Sequence, residues 1–155
     1  MTEFSHLDDR GQARMVDVSA KAETVRCATA EAVVTMDPAT VAALFAGTLP
    51  KGDALALIRV AAINGAKRTP DLVPLCHPLP LTGVTVEVTP LAGGARIVVT
   101  AGTVGRTGVE MEAITGAAVG AITLYDMIKG MDRSAEIGPV RLLAKSGGAS
   151  GDWTR

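Results

Sequence analysis

At 155 residues the chain is long enough for one domain with a real core and too short to suggest two. A hydrophobic share of 48% excludes a disordered chain, and a net charge of −1 leaves no positive field to hold a nucleic-acid backbone. The opening residues, Met1 to His6, carry an acid and lack the basic-then-apolar pattern of a secretory signal, while the uncharged stretch Ala113 to Tyr125 falls short of a membrane span.

A cytoplasmic protein is therefore expected, with neither nucleic-acid nor membrane partners. Aromatics are only 3% while Gly numbers 17, so core density has to come from backbones lying close together. Cys27 and Cys76 supply neither a disulfide framework nor paired zinc spacing, and read as reduced thiols.

Residues 1–20 are polar and mixed, an arm expected to order only against a partner. From Thr24 to Met36 the valines Val25, Val33 and Val34 predict a strand. Asp37-Pro38 then has the form of an N-cap with proline in the first turn, opening a short helix through Leu44 and Phe45 that stops at Gly47. Leu49 to Asp53 is a loop, and Asp53 caps a second helix through Leu55, Ile58, Ala62 and Ala66, broken at Thr69-Pro70.

Asp71 to Pro80 holds Pro74, Pro78 and Pro80 around Leu75-Cys76-His77, so it is expected to be extended and rigid. Val84, Val86 and Val88 alternate with polar residues, Ile97 to Val99 form a second run, and Gly93-Gly94 joins the two as a hairpin. Thr107-Gly108-Val109-Glu110 reads as a capping box that opens the longest helix, about Val109 to Met131. A short strand around Val140 to Ala144 follows, and residues 147–155 read as a flexible tail by composition, leaving residues 21–146 as the folded unit. Discounting one extra helix, the order is β-α-β-β-α-β. The fold class is thus α+β and ferredoxin-like, an antiparallel sheet with helices packed on one face.

The long helix carries the sharpest clue to chemistry. Glu110 and Glu112 lie in its first turn, and Asp126 and Lys129 near its end. Helical rise puts Glu112 and Asp126 about 21 Å apart along the axis, yet within about 40° of one face. They cannot share a small-molecule site within one subunit. Small residues from Thr115 to Ala121 would let another helix approach. If two copies pack antiparallel near Val119, Glu112 of one meets Asp126 and Lys129 of the other, giving a two-fold dimer with two composite sites.

His77, fixed between prolines, can donate a hydrogen bond or shuttle a proton at neutral pH. Cys76 and His77 point to opposite faces of an extended chain and no second cluster completes a tetrahedral set, so no metal site is expected. Lys51 sits on a loop between Pro50 and Gly52 that can project it into a cleft. Lys67, Lys129, Arg26 and Arg106 are further cations suited to phosphate, lysine being the one whose ionisation shifts readily. The run Gly102 to Gly108 matches no phosphate-loop pattern, and Glu110 and Glu112 place negative charge where a phosphate would sit. Lys145, at the start of the glycine-rich tail, reads as part of a flexible segment.

Five motifs occur in order: Met15-Val16-Asp17-Val18, Lys51-Gly52-Asp53, Pro74-Leu75-Cys76-His77-Pro78-Leu79, Thr107-Gly108-Val109-Glu110-Met111-Glu112-Ala113 and Tyr125-Asp126-Met127. From about Ser5 to Gly151 the chain resembles the cyclic pyranopterin monophosphate synthase family of molybdenum-cofactor biosynthesis. The resemblance implies a ferredoxin-like fold assembled as a trimer of dimers, with active sites at the dimer interface. It implies a phosphorus–oxygen lyase without cofactor or metal, converting a cyclic dihydro-GTP derivative to cyclic pyranopterin monophosphate and pyrophosphate. By position, Asp126, Lys51 and Lys129 match catalytic residues. Leu75, Cys76, His77, Glu110, Met111 and Glu112 match segments that hold substrate, and Lys67 and Arg26 match basic positions that meet phosphate. The alternative left open by the residues is a non-catalytic oligomer that senses or carries a phosphorylated ligand, since fold alone does not set function.

Overall fold

The structure, a computed structural model, describes residues 6–155. Alternation builds its sheet. Along Thr24–Thr35 (β1), Ala28, Ala30, Ala32 and Val34 are buried while Cys27, Thr29 and Val33 between them are only partly covered. Along Gly94–Gly105 (β3), Ala95, Ile97, Val99 and Ala101 repeat the pattern. A strand has a period of two, so these residues form one face, and that face must be covered. Glu31 lies on the opposite face, buried under its ion pairs with Arg96 of β3 and Arg141 of the fourth strand.

β1 pairs on one side with β3 and on the other with Glu136–Ser146 (β4); Leu81–Leu91 (β2) adds to β3, and Trp153–Thr154 (β5) to β4. All four pairings are antiparallel, in the order β2-β3-β1-β4-β5. The first four strands thus have the ferredoxin-like arrangement. At the hairpin between β2 and β3 the turn is Ala92-Gly93, and Gly94 opens β3 pressed against the Val34 carbonyl, where no side chain fits.

The helices are Pro38–Ala46 (α1), Ala54–Lys67 (α2), the single turn Thr69–Leu72 (α3) and Glu110–Ile128 (α4). Gly47 closes α1 at φ 71°, in the left-handed region that glycine enters without strain. Asp53 caps α2 by accepting the Ala56 N–H at 3.0 Å. α4 buries Ala113, Ala117, Ala121, Leu124 and Ile128, a stripe in steps of three and four laid on the sheet. Among the described residues α4 alone has the length and hydropathy of a membrane span, and this stripe shows what its apolar residues do: they form the core.

Three expectations need correction. The small residues of α4 are spent within the chain: a side chain on Gly116 would come within 3.0 Å of the Ala62 carbonyl of α2, and one on Gly120 within 3.4 Å of Ile97. Thr107 is not the N-cap of α4. Val109, only 1% exposed, is drawn into the core and the helix begins just after it, with no side-chain cap bond. Thr69-Pro70 does not lead straight into extended chain; proline suits a first turn and α3 forms there, with Thr69 Oγ1 donating to the Ala66 carbonyl at 3.0 Å. Beyond these, the segment after β4 turns through Gly147 and Gly148, both at positive φ, and its residues Trp153–Thr154 pair with β4 as β5.

Of the N-terminal arm, residues 6–20 are described and residues 1–5 lie outside the described residues. It contacts its own chain: Arg106 Nη1 donates to the Ser19 carbonyl at 3.1 Å, and the Val16 carbonyl meets His77.

The α2–α4 contact yields a test. A Cβ on Gly65 would lie 2.7 Å from Val119 Cβ, a branch point that cannot swing away. Gly65→Ala is expected to gain about 1 kcal/mol of helix propensity and lose about 1–3 kcal/mol to overpacking. A net loss in urea denaturation is the expected result.

Candidate active site

The first cluster stands where α4 ends. Gly52, at φ 91°, turns the loop before α2 so that Lys51 reaches across to α4. Lys51 Nζ lies 2.9 Å from Asp126 Oδ2 and donates to the Asp126 backbone carbonyl at 2.6 Å. Lys129, one turn beyond, lies 2.7 Å from Asp126 Oδ1. One carboxylate is thus shared by two ammonium groups.

The electrostatics follow. Hydrogen bonds from Lys129 and then Lys51 hold the Asp126 carboxyl below its ordinary range, and Asp126 in turn raises Lys129. Lys129 is therefore kept as an ammonium, a proton donor and anion partner before it is a base. Exposed ion pairs contribute little to stability, and Asp126 is 54% exposed. The fold does not need this cluster.

The second group of residues lies at the other end of α4, around a cavity of about 390 Å³. Its walls come from three places: Val16, Val18 and Lys21 of the arm, Leu75, Cys76 and His77 of the proline-held segment, and Glu110, Met111 and Glu112 at the start of α4. Glu112 is 3% exposed. Burial, with a smaller push from Glu110, raises its pKa to about 6, against a weaker opposing backbone hydrogen bond. It can therefore exchange a proton near neutrality. Burial and then Glu112 push the Cys76 thiol up, so Cys76 is a neutral wall and no thiolate nucleophile.

A raised carboxyl pKa has a definite sign in stability. Ionised Glu112 is disfavoured in the fold, so its destabilisation is absent below about pH 4.5, grows as pH rises and is complete above about pH 6. Glu112→Gln, which keeps the shape and removes the titration, is expected to gain on the parent by about 1 kcal/mol between pH 4 and pH 7.5, solvent screening allowed for. Chemical denaturation at the two pH values measures this.

The remaining sequence candidates lie apart. Lys67 lines a second cavity of about 290 Å³ with Ile63, Leu79, Leu81, Gly83 and Val84, and Leu79 is common to both cavities. Arg26 Nε donates to the Gly105 carbonyl at 3.1 Å, and the guanidinium packs on Gly148. Within one chain, then, Lys51, Asp126 and Lys129 come together, and so do Leu75 to His77 with Glu110 to Glu112. The two groups do not meet.

Two cations escaped sequence reasoning. Lys145, at 19% exposed, sets its Nζ 3.7 Å from Glu110 Oε1 and is held by Ser150 Oγ on the turn before β5. Its signal was the strand expected around Val140 to Ala144 just before it, since that strand runs on to Ser146 and carries Lys145 with it. Lys21 lines the main cavity and lies three residues past the Met15 to Val18 motif, its one available clue.

Comparison with known sequences gives the family. The profile described as the MoaC family matches residues 15–148. A cyclic pyranopterin monophosphate synthase of Corynebacterium glutamicum strain R is 52% identical over 154 residues, covering 99% of each chain. The enzymes of that name from Roseiflexus sp. strain RS-1, at 53% identity over 99% of this chain and 98% of the relative, and from Nostoc sp. strain PCC 7120, at 54% over 97% and 90%, are similar.

Proposed function

The chain belongs to the MoaC family, and from that premise we propose how its residues carry out the reaction of a cyclic pyranopterin monophosphate synthase. A cyclic dihydro-GTP derivative is converted to cyclic pyranopterin monophosphate with loss of pyrophosphate, a step of molybdenum-cofactor biosynthesis. The observation that carries the assignment of roles is the sharing of Asp126 between Lys51 and Lys129.

Ring opening and reclosure of a pterin precursor moves protons several times, and paired lysines with a carboxylate do this without a redox centre. Lys129, kept charged by Asp126, supplies a proton and meets the oxyanions that develop as pyrophosphate leaves. Lys51 shares the transfers from the opposite side of the same carboxylate. Leu75 to His77 and Glu110 to Glu112 hold the pterin portion, and Lys67 and Arg26 meet phosphate. No cofactor takes part.

The site is completed by a second copy. Met111 and Ile122 stand exposed on α4, and Leu57 and Val60 on α2, an apolar surface of the kind a partner covers. A copy laid antiparallel on that surface brings Glu112 of one chain to Asp126 and Lys129 of the other and desolvates their charges. The small residues of α4 no longer serve this contact, since α2 and the sheet occupy them. The dimers assemble further into a trimer of dimers in the cytoplasm.

Incubation of the purified chain with the cyclic dihydro-GTP substrate tests the activity. Release of pyrophosphate with formation of the cyclic monophosphate is the expected result; a carrier or sensor releases none. Sedimentation equilibrium tests the assembly, for which a monomeric species with full activity is the contrary outcome.

A further inference from the structure

We infer that neutral His77 holds its proton on Nε2, given to the Val16 carbonyl, and presents Nδ1 as a hydrogen-bond acceptor for an N–H or O–H of the substrate, with the N-terminal arm as the element that sets this polarity. Only the identity of the donor as part of the substrate rests on the function proposed above.

The argument begins with the Val16 carbonyl. It lies 2.8 Å from His77 Nε2, and a carbonyl oxygen has lone pairs but no proton to give. The hydrogen of this bond must sit on Nε2. A neutral imidazole carries one N–H, so Nδ1 is left with its lone pair. Among the described residues no hydrogen bond reaches Nδ1, and the ring lines the main cavity. The same logic orients metal-bound histidines, where a partner at one nitrogen decides what the other can do.

The carbonyl is itself fixed. Asp17 Oδ1 accepts the Ser19 N–H at 2.8 Å, which closes a local turn just beyond Val16. Arg106 Nη1 holds the Ser19 carbonyl at 3.1 Å and so ties the arm to the chain before α4. On the other side, Pro78 restricts the backbone of His77. The titratable and charged groups around the ring are His6, Asp17 and Lys21 on the arm, Cys76 beside it, and Glu110 and Glu112 on α4.

The consequence is selective. A neutral His77 held in this way cannot donate into the cavity, so it does not recognise a carbonyl or phosphate oxygen. It recognises a donor, and it can take a proton from that donor. The arm residue Val16 is a positioning residue, acting through His77.

Because the chain has only two histidines, the test reads cleanly. The full-length protein, labelled with nitrogen-15 in histidine, is examined at pH 8 by two-bond proton–nitrogen correlation, with His6→Gln to assign the signals. A pyrrole-type Nε2 and a pyridine-type Nδ1 are expected for His77. A protonated Nδ1, or a single averaged shift from two tautomers, would overturn the inference.

The arm is tested with two variants, since glutamine can place an amide N–H at the Nε2 position while alanine places nothing. Tryptic cleavage after Arg14 is expected to be at least several-fold faster in His77→Ala than in the parent, and near the parent's rate in His77→Gln. Equal protection in His77→Ala would show that the arm does not hold this histidine. His77→Gln, with the arm held but no acceptor at Nδ1, is expected to lose at least tenfold in kcat/KM, and full activity there would refute the acceptor role. A parent protein that releases no pyrophosphate would refute the proposed function and leave the tautomer result untouched.

Discussion

Lys51→Ala and Lys129→Ala should each lower kcat by about 10²–10⁴-fold, the range that removal of a positioned acid or base produces. Both lysines contact the same carboxylate, at 2.9 and 2.7 Å, so they act as a unit and the double variant should be little worse than either single one. Thermal melting should barely change, because the ion pairs are solvent-exposed. Lys129→Arg separates charge from proton transfer. Arginine keeps the positive charge and cannot give up a proton, so KM should stay near that of the parent while kcat remains low. Near-normal turnover in both alanine variants would remove these lysines from the mechanism.

Mixing two inactive variants should restore activity. Lys51 stands at one end of α4 with Asp126, and Glu112 at the other, about 21 Å away along the axis by helical rise. In an antiparallel dimer, each composite site takes Lys51 from one chain and Glu112 from the other. When Lys51→Ala and Glu112→Ala chains are unfolded together and refolded in equal amounts, half the dimers are mixed. Each mixed dimer has one doubly damaged site and one intact site. About a quarter of the parent's activity is therefore expected, from two preparations that have almost none. If both residues belonged to a site within one chain, every site would stay damaged and nothing would return.

Much of the fold could be read along the chain. The valines of β1, the alternation of Val84, Val86 and Val88 in β2, the run Ile97 to Val99 in β3, the Asp53 cap, the Gly47 stop and the turn at Gly93 are local features: each depends on the conformational preference of a few neighbouring residues. The same holds for the separation of Glu112 from Asp126, which follows from helical rise alone. The motif residues Lys51, His77, Glu112 and Asp126 could be picked out because their residue types and order match a known family.

Tertiary structure decided what depends on distant partners. The small residues from Gly116 to Gly120 allow a close helix contact, but nothing in their spacing says whether α2 of the same chain or a second copy will make it. Thr107 and Glu110 have capping-box spacing, yet burial of Val109 outweighs one cap bond and shifts the helix start. The contacts of Lys145 with Glu110 and of the arm's Val16 with His77 join residues remote in sequence, and no local pattern announces them. Local patterning determined which elements form and which groups are available for chemistry. Packing determined which faces they present, because a contact between remote segments is chosen by the free energy of the whole core and is written in no single stretch of sequence.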